Sequence, residues 1–272
     1  MVLSHSSLIA VVAGASVRSA SVTAAIDLVG VTKRFGPFEA LAPIDLTVEA
    51  GEIVTVLGPS GSGKTTLLRL VGGLIEPTSG SLTVGGASPH DARAAKRIGF
   101  VPQSPALLPW RSVAANARLL LDVNRRVPTR HSPSTTELLA EVGLADFADA
   151  APHELSGGMQ QRVALVRAMA LGAPLLLMDE PFAALDEITR ADMRHLMARL
   201  CEPRATTVLF VTHSIAESVF ISDRVAVLST RPGRIVGIEP IELPRPRLPA
   251  LEDDGAFFAV ETRLRALLAA AR

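Results

Sequence analysis

The segment with the most distinctive chemistry is a glycine-rich octapeptide with the spacing G-x-x-x-x-G-K-[S/T]. It reads Gly58-Pro59-Ser60-Gly61-Ser62-Gly63-Lys64-Thr65 and is followed by a second threonine, Thr66. Glycines allow successive backbone N–H groups to point at phosphate oxygens, and a helix that starts after the loop adds its positive end. Lys64 is one of only three lysines among 27 basic residues, and its compact ammonium suits nucleotide phosphates better than a planar guanidinium. The octapeptide predicts a phosphate-binding loop in which Thr65 holds Mg²⁺ and Thr66 donates to phosphate.

A pair of adjacent carboxylates, Asp179 and Glu180, follows the apolar run of residues 175–178. Two charges at the end of a buried strand are costly unless they face a polar ligand. Asp179 is suited to hold Mg²⁺ through its water shell, and Glu180 is suited to orient or deprotonate an attacking water. Together with the phosphate loop, the pair predicts magnesium-dependent hydrolysis of a terminal phosphate.

A second glycine-rich segment predicts another anion site; it reads Leu155-Ser156-Gly157-Gly158-Met159-Gln160-Gln161-Arg162. Ser156 can cap the helix that follows, and the glycines leave backbone N–H groups open beside that helix N-terminus. One chain with two sites for the same terminal phosphate, far apart in sequence, suggests that two chains face each other head to tail. Each chain would then supply half of each catalytic pocket.

The elements that must position these residues follow from hydrophobic patterning. Residues 26–31 and 44–48 alternate apolar and polar, as half-buried antiparallel strands do. Residues 52–57, 175–178 and 207–211 are nearly all apolar, which is typical of strands buried on both faces, and each run precedes a helical pattern. This alternation predicts an α/β fold with a mainly parallel sheet, and ligands beyond the carboxyl ends of its strands. Between residues 104 and 154 strand-like runs give way to short helices, which predicts an inserted helical subdomain.

The composition disfavours several classes of protein. The 272 residues are 48% apolar and 20% charged, unlike an intrinsically disordered chain or a coiled coil. The 27 basic residues balance 27 acidic ones, so no overall basic field favours nucleic acid. The single cysteine, Cys201, excludes an intramolecular disulfide framework. A secretory signal would carry Lys or Arg before its apolar run, but none precedes the apolar run of residues 8–15. We therefore expect residues 1–24 to form a disordered N-terminal extension.

Residues 155–162 resemble the signature sequence of ABC-type ATPases, and the other motifs of that family follow in its order between residues 26 and 236. The resemblance implies a P-loop NTPase (RecA-like) core with an antiparallel β subdomain, and ATP and Mg²⁺ as its cofactors. It implies that Gln103 contacts Mg²⁺ and the attacking water. It also implies that His213 bonds the γ-phosphate and orients Glu180, and that Asp186, in the D-loop (residues 183–186), crosses a dimer interface.

The family also stacks an aromatic side chain on adenine, and the spacing favours Phe35, with Phe38 as a competing candidate. The predicted catalytic residues are Lys64, Gln103, Glu180 and His213, and the predicted metal ligands are Thr65, Gln103 and Asp179. The predicted nucleotide-binding residues are Phe35, Gly58, Pro59, Ser60, Gly61, Ser62, Gly63, Lys64, Thr65, Thr66, Ser156, Gly157, Gly158 and Asp186.

Within the family, residues 107–110, 178–186, 211–218 and 229–235 resemble the importer ATPases for nitrate, sulfonate and taurine. The resemblance implies a peripheral subunit at the cytoplasmic face of the membrane. It would pair with itself or a paralogous ATPase subunit and drive a separate permease. A periplasmic or extracellular solute-binding protein would deliver the solute to that permease. Trp110 lies where relatives receive a helix of the permease. We expect the ATPase domain at residues 25–238, its helical subdomain at about 104–158, and a linker with a C-terminal helix at 239–272.

Two other readings have different consequences. A soluble ABC ATPase of DNA repair or translation usually carries two cassettes or a long coiled-coil insertion, and the sequence predicts neither. A P-loop kinase or GTPase would not need residues 155–160, and a GTPase would use an N-K-x-D motif, which the sequence lacks.

Overall fold

The computed structural model describes residues 24–124 and 133–271, so the predicted N-terminal extension lies outside the described residues except for its last position. The described strands are β1 (Ala24–Phe35), β2 (Phe38–Glu49), β3 (Ile53–Leu57), β4 (Ser79–Val84), β5 (Ile98–Val101), β6 (Leu175–Asp179), β7 (Thr207–Thr212), β8 (Arg224–Leu228) and β9 (Ile235–Pro240). The described α-helices are α1 (Lys64–Val71), α2 (Pro89–Ala94), α3 (Val113–Ala117), α4 (Leu119–Val123), α5 (Thr135–Glu141), α6 (Gly157–Met169), α7 (Glu187–Cys201), α8 (Ile215–Ile221) and α9 (Gly255–Ala270).

The larger sheet has six strands in the order β5-β6-β7-β3-β8-β9, and all its pairings are parallel except that of β8 with β9. This confirms the predicted mainly parallel sheet. Its alternate residues enter two different cores, since Ile53 and Leu57 pack on one face of β3 while Val54 and Val56 pack on the other. Burial on both faces explains why the central strands are nearly all apolar.

The smaller sheet is antiparallel, in the order β2-β1-β4. The two alternating runs predicted as strands lie inside β1 and β2, and the alternation corresponds to one buried and one exposed face along β2. Strands β4, β5, β8 and β9 were not expected from the sequence. They are short or carry polar and glycine residues, so their patterning is weak.

Helices α3 to α6 lie between β5 and β6, and the segment predicted as a helical subdomain, about 104–158, falls in the same interval. Asn116, which is fully buried, accepts a hydrogen bond from the Leu108 backbone N–H and donates to the carbonyls of Leu108, Arg111 and Ser112. These bonds fix the turn that enters α3. Residues 125–132, which include Pro128, lie outside the described residues.

The C-terminal tail packs on the sheet. Helix α9 contacts α8, β8 and β9, and the proline-rich residues 243–249 that were predicted as a linker contain the buried side chains of Leu243 and Arg247. Arg247 donates to the carbonyls of Val219 and Phe220 near the end of α8. The tail therefore holds α8 from its C-terminal side. Among the described helices, none has the length and the hydropathy that crossing a bilayer requires.

Candidate functional site

Four neighbouring strands deliver the predicted site residues to one edge of the larger sheet. In the parallel registers, Leu57 of β3 pairs with Thr212 of β7, Val211 of β7 with Asp179 of β6, and Met178 of β6 with Val101 of β5. The residues that follow these strand ends therefore converge at the carboxyl edge, where α/β sheets bind ligands. A cavity of about 450 Å³ opens there; its lining residues are Phe38, Ala40, Ser60, Gly61, Ser62, Gly63, Lys64, Thr65, Thr66, Gln103 and Glu180.

The phosphate loop, residues 58–63, takes its shape from glycine. Gly63 has a φ of 88° and precedes α1, and a side chain there would also place Cβ 2.6 Å from Leu41 Cδ2. A Cβ at Gly58 would lie 2.8 Å from Ser62 Oγ and 2.9 Å from the carbonyl oxygen of Leu228. The buried Ser62 hydroxyl has no hydrogen-bond partner among residues 24–124 and 133–271, which leaves it free to bond a bound anion.

Lys64, which follows this loop, is buried and lines the cavity. Its Nζ donates to the carbonyl oxygens of Gly58 (2.8 Å) and Pro59 (3.0 Å), and it lies 3.3 Å from Glu180 Oε1. A buried cation held by carbonyls and one carboxylate is already desolvated and oriented. It provides a positive charge where a terminal phosphate would bind.

Oxygen donors for a cation lie beside Lys64. Thr65 Oγ1 donates to Asp179 Oδ1 at 2.9 Å, and Gln103 lines the same cavity. Burial raises the pKa of Asp179, while the hydrogen bond from Thr65 and the charge of Lys64 act in the opposite direction. The described residues contain no cluster of three or more acidic, histidine or cysteine ligands. One carboxylate with neutral oxygens fits Mg²⁺, which uses few protein ligands and keeps its waters and substrate phosphates.

Glu180 lines the cavity and contacts His213, which lies beside it. His213 Nδ1 lies 3.0 Å from Glu180 Oε2, and the histidine side chain remains about half exposed, at 51%. Glu180 has a φ of 44°, in the left-handed region that a residue with a Cβ rarely adopts. Its backbone N–H donates to the Val211 carbonyl at 2.9 Å, so this strained turn is tied to β7. The arrangement can hold and orient a water for attack on a phosphate.

The remaining predicted residues lie outside this cavity. Ser156 caps α6 by accepting from the Met159 N–H at 3.3 Å, and Ser156 and Gly157 are exposed. Gly158 is buried against α7, since a Cβ there would lie 2.5 Å from Thr189 Cγ2. Asp186 caps α7 by accepting from the Thr189 N–H at 3.0 Å. Within residues 155–162, the signature segment, a single chain thus presents Ser156 and Gly157 to solvent, and neither lines the cavity at its own phosphate loop.

The two aromatic candidates lie at the hairpin between β1 and β2, where Phe35 pairs with Phe38 in the register. Both rings are about half exposed, at 48% and 54%. Phe38 lines the cavity, while the Lys33 ammonium lies 5.0 Å from the centre of the Phe35 ring. Both candidates therefore remain open for adenine. Ala40 also lines the cavity, and no motif in the sequence points to it.

Comparisons with known proteins agree with the resemblance of the sequence to ABC-type ATPases. The family model described as ABC transporter matches residues 41–183. The aliphatic sulfonates import ATP-binding protein SsuB 1 of Xanthomonas axonopodis pv. citri is 44% identical over 216 residues, which are 79% of this chain and 85% of that protein. Its namesake SsuB of Granulibacter bethesdensis is 45% identical over 246 residues, 90% of this chain and 95% of that protein.

Solved structures show the same likeness. The ATP-binding cassette MJ0796, in a dimeric post-hydrolysis state bound to ADP and Pi, superposes with a TM-score of 0.68 at 32% identity. That match covers 80% of this chain and 100% of the other. The cbiO1 protein of Clostridium perfringens superposes with a TM-score of 0.72 at 23% identity, over 89% of this chain and 96% of the other, and shows the fold alone.

Proposed function

The chain belongs to the ABC transporter family of ATPases, and we propose that it is the ATP-hydrolysing subunit of an importer for a small anion of the sulfonate type. The support for an importer is its 44% and 45% identity to sulfonate import proteins over most of their length. The alternative is a soluble ABC ATPase without a membrane partner. We infer that the ATPase domain spans residues 25–238, with a helical subdomain at about 104–158, and that the tail is an accessory to it.

The observation that carries the catalytic assignment is the contact of Glu180 with both Lys64 and His213 at the mouth of the phosphate loop. We infer that ATP binds with its β- and γ-phosphates against the loop N–H groups and Lys64. Glu180 and His213 then hold a water in line with the γ-phosphorus, and Glu180 accepts its proton. Mg²⁺ held by Thr65, Asp179 and Gln103 would neutralise charge on the phosphate oxygens. The products are ADP and phosphate.

A dimer completes this site in our proposal. The signature residues Ser156, Gly157 and Gly158 lie at a capped helix N-terminus that a partner's γ-phosphate can approach, since Ser156 and Gly157 are exposed. The matched cassette MJ0796 is described as a dimer bound to ADP and Pi. Head-to-tail pairing with a second copy or a paralogous subunit would bring each signature segment to the other subunit's phosphate loop.

Substitution of the proposed base tests both parts of this mechanism. Glu180→Gln should bind ATP, hydrolyse little of it and elute as a dimer from a sizing column when ATP is present, because the closed state is no longer released by hydrolysis. Glu137→Gln, on the exposed surface of α5, is the matched control and should hydrolyse ATP as the wild type does. Wild-type turnover by Glu180→Gln would refute the role of Glu180, and a monomer with ATP bound would refute the shared site.

The transport role is tested by the partner that the chain recruits. We expect the affinity-tagged full-length protein to recover a multi-span permease from detergent-solubilised membranes. In the cell, the chain would be peripheral at the cytoplasmic face of the membrane. We also expect its ATPase rate in proteoliposomes with that permease to rise when a sulfonate-loaded periplasmic or extracellular solute-binding protein is added. Recovery of ribosomes or DNA in place of a permease would favour the soluble alternative, since we expect no nucleic-acid partner.

A further inference from the structure

Glu217 is a buried carboxylate that the reaction described above does not use. It lies in the first turn of α8 and is only 3% exposed. Its Oε2 accepts the hydroxyl proton of Thr212 at 2.5 Å, and Thr212 Oγ1 in turn accepts from the Ser214 N–H at 3.0 Å. Glu217 is therefore linked to both neighbours of His213 in the chain.

Arg190, on α7, faces the same carboxylate from the other side. Its Nε lies 3.8 Å from Glu217 Oε1. The guanidinium also donates to two backbone carbonyls around the D-loop, from Nη2 to Leu185 at 2.7 Å and from Nε to Phe182 at 3.4 Å. Arg190 thus connects the turn after Glu180 with the helix after His213.

Burying the charge of Glu217 in this connection costs free energy in the folded state. Burial raises the pKa of Glu217, against the opposing effects of the Thr212 hydrogen bond and of the charged groups that face it, Arg190, Arg194 and His213. A buried ion pair is often replaceable by apolar side chains with no loss of stability. The presence of the Glu217–Arg190 pair between two loops of the site is therefore better explained by a role in positioning those loops than by a contribution to stability.

We propose that Glu217 and Arg190 are positioning residues that fix His213 relative to Glu180 and the D-loop. The proposal rests on the proposed roles of Glu180 and His213. The contacts described above form a continuous chain, called the strut below. It runs from the Leu185 carbonyl through Arg190, Glu217 and Thr212 to the backbone on either side of His213. It bypasses the phosphate loop, so it affects the alignment of the attacking water and leaves nucleotide binding to Lys64 and the loop N–H groups.

The experiment measures steady-state ATP hydrolysis by the full-length chain with two conservative variants and one control. Glu217→Gln keeps the shape and removes the charge, and Thr212→Val removes the hydroxyl. Each should lower kcat by roughly tenfold, which corresponds to about 1.4 kcal/mol of transition-state free energy, with KM for ATP within about twofold of wild type. The control is Glu52→Gln, which removes the charge from another Glu–Arg ion pair, with Arg224 (2.6 Å), at the opposite edge of the sheet and should leave kcat unchanged.

The double variant separates a strut from two independent effects. Thr212→Val combined with Glu217→Gln should lower kcat no further than either change alone, because both break the same link. Unchanged kcat in both single variants, a parallel rise in KM, or additive losses in the double variant would overturn the proposal. Thermal unfolding of every variant identifies misfolding, and Thr212→Val then serves if Glu217→Gln does not fold. If His213→Ala also hydrolyses ATP at the wild-type rate, the failure lies in the proposed function and not in the strut.

Discussion

The phosphate loop is braced from behind by Gly233, and adding one methyl group there should displace it. Gly233 lies in the loop between β8 and β9, in the segment 229–235 that resembles the importer ATPases. Its N–H donates to the Ala40 carbonyl at 3.1 Å and its carbonyl accepts from Ala42 at 2.9 Å. Two backbone bonds to β2 therefore hold Gly233 in place against the back of the loop.

The size of the displacement follows from the contact distances. A Cβ at Gly233 would lie 2.1 Å from the Ser62 carbonyl oxygen, whereas real Cβ atoms essentially never approach closer than 3.0 Å. The backbones at Gly233 and Ser62 must then separate by at least about 0.9 Å, and the two bonds of Gly233 to β2 direct that shift to Ser62. Gly233 has no left-handed φ, so the collision is the whole penalty. Because a misplacement of about 1 Å near reacting groups can cost about 100-fold in rate, Gly233→Ala should lower kcat/KM for ATP by about that factor.

The assay combines ATP turnover with titration of a fluorescent ATP analogue. Since the displaced groups bind phosphate, we expect weaker nucleotide binding to account for much of the loss. Gly255→Ala is the matched control, because no heavy atom lies within 4 Å of its Cβ position. It should match the wild type. If Gly233→Ala stays folded and binds the analogue within twofold of wild type, the brace does not position the phosphate loop.

Three further results are expected. Lys64→Ala should abolish nucleotide binding, while Lys96→Ala, outside the cavity, should not; equal affinities would refute the phosphate role of Lys64. Burial raises the pKa of Glu217, so its ionisation destabilises the fold: the Tm of the wild type should fall relative to that of Glu217→Gln as pH rises through the raised pKa, and the gap should stop changing below about pH 4. A pH-independent gap would contradict this. Trp110, the single tryptophan and 76% exposed, should change its fluorescence when the purified permease is added, and an unchanged spectrum would remove it from the docking surface.

The sequence predicts the elements whose residue types have one structural solution. Runs that are apolar on both faces, as in β3, β6 and β7, suit a central parallel strand, and the glycines of the phosphate loop suit a turn around an anion. Strand β5 has four residues, and β9 contains a glycine and ends in proline, so neither carries a clear period. The order of the strands brings Gln103, Asp179, Glu180 and His213 to the carboxyl edge of the sheet. The sequence already predicts this edge as the ligand site, because its apolar runs indicate parallel strands.

Other parts of the site could not be read from the chain. Arg190 and Glu217 lie on separate helices, and the sequence carries no spacing that joins them. Prolines in residues 243–249 predict irregular backbone, but they do not determine whether that backbone packs. The structure buries Arg247 there, and burial lowers its pKa to about 10. Tertiary contacts of this kind depend on the sheet order, which local patterning does not specify.

The preference of this chain for arginine over lysine has a structural consequence around the site. Arg167 of α6 donates to the carbonyls of Pro105 and Ala106, Arg190 to those of Phe182 and Leu185, and Arg247 to those of Val219 and Phe220. The first pair of carbonyls follows Gln103, the second follows Glu180, and the third ends the helix after His213. A planar guanidinium with five donors can bond two carbonyls at once and hold a loop in one geometry, whereas an ammonium on a flexible stem fixes no such plane. The segments that follow Gln103, Glu180 and His213 are thereby tied, through their backbones, to arginine side chains that do not line the cavity.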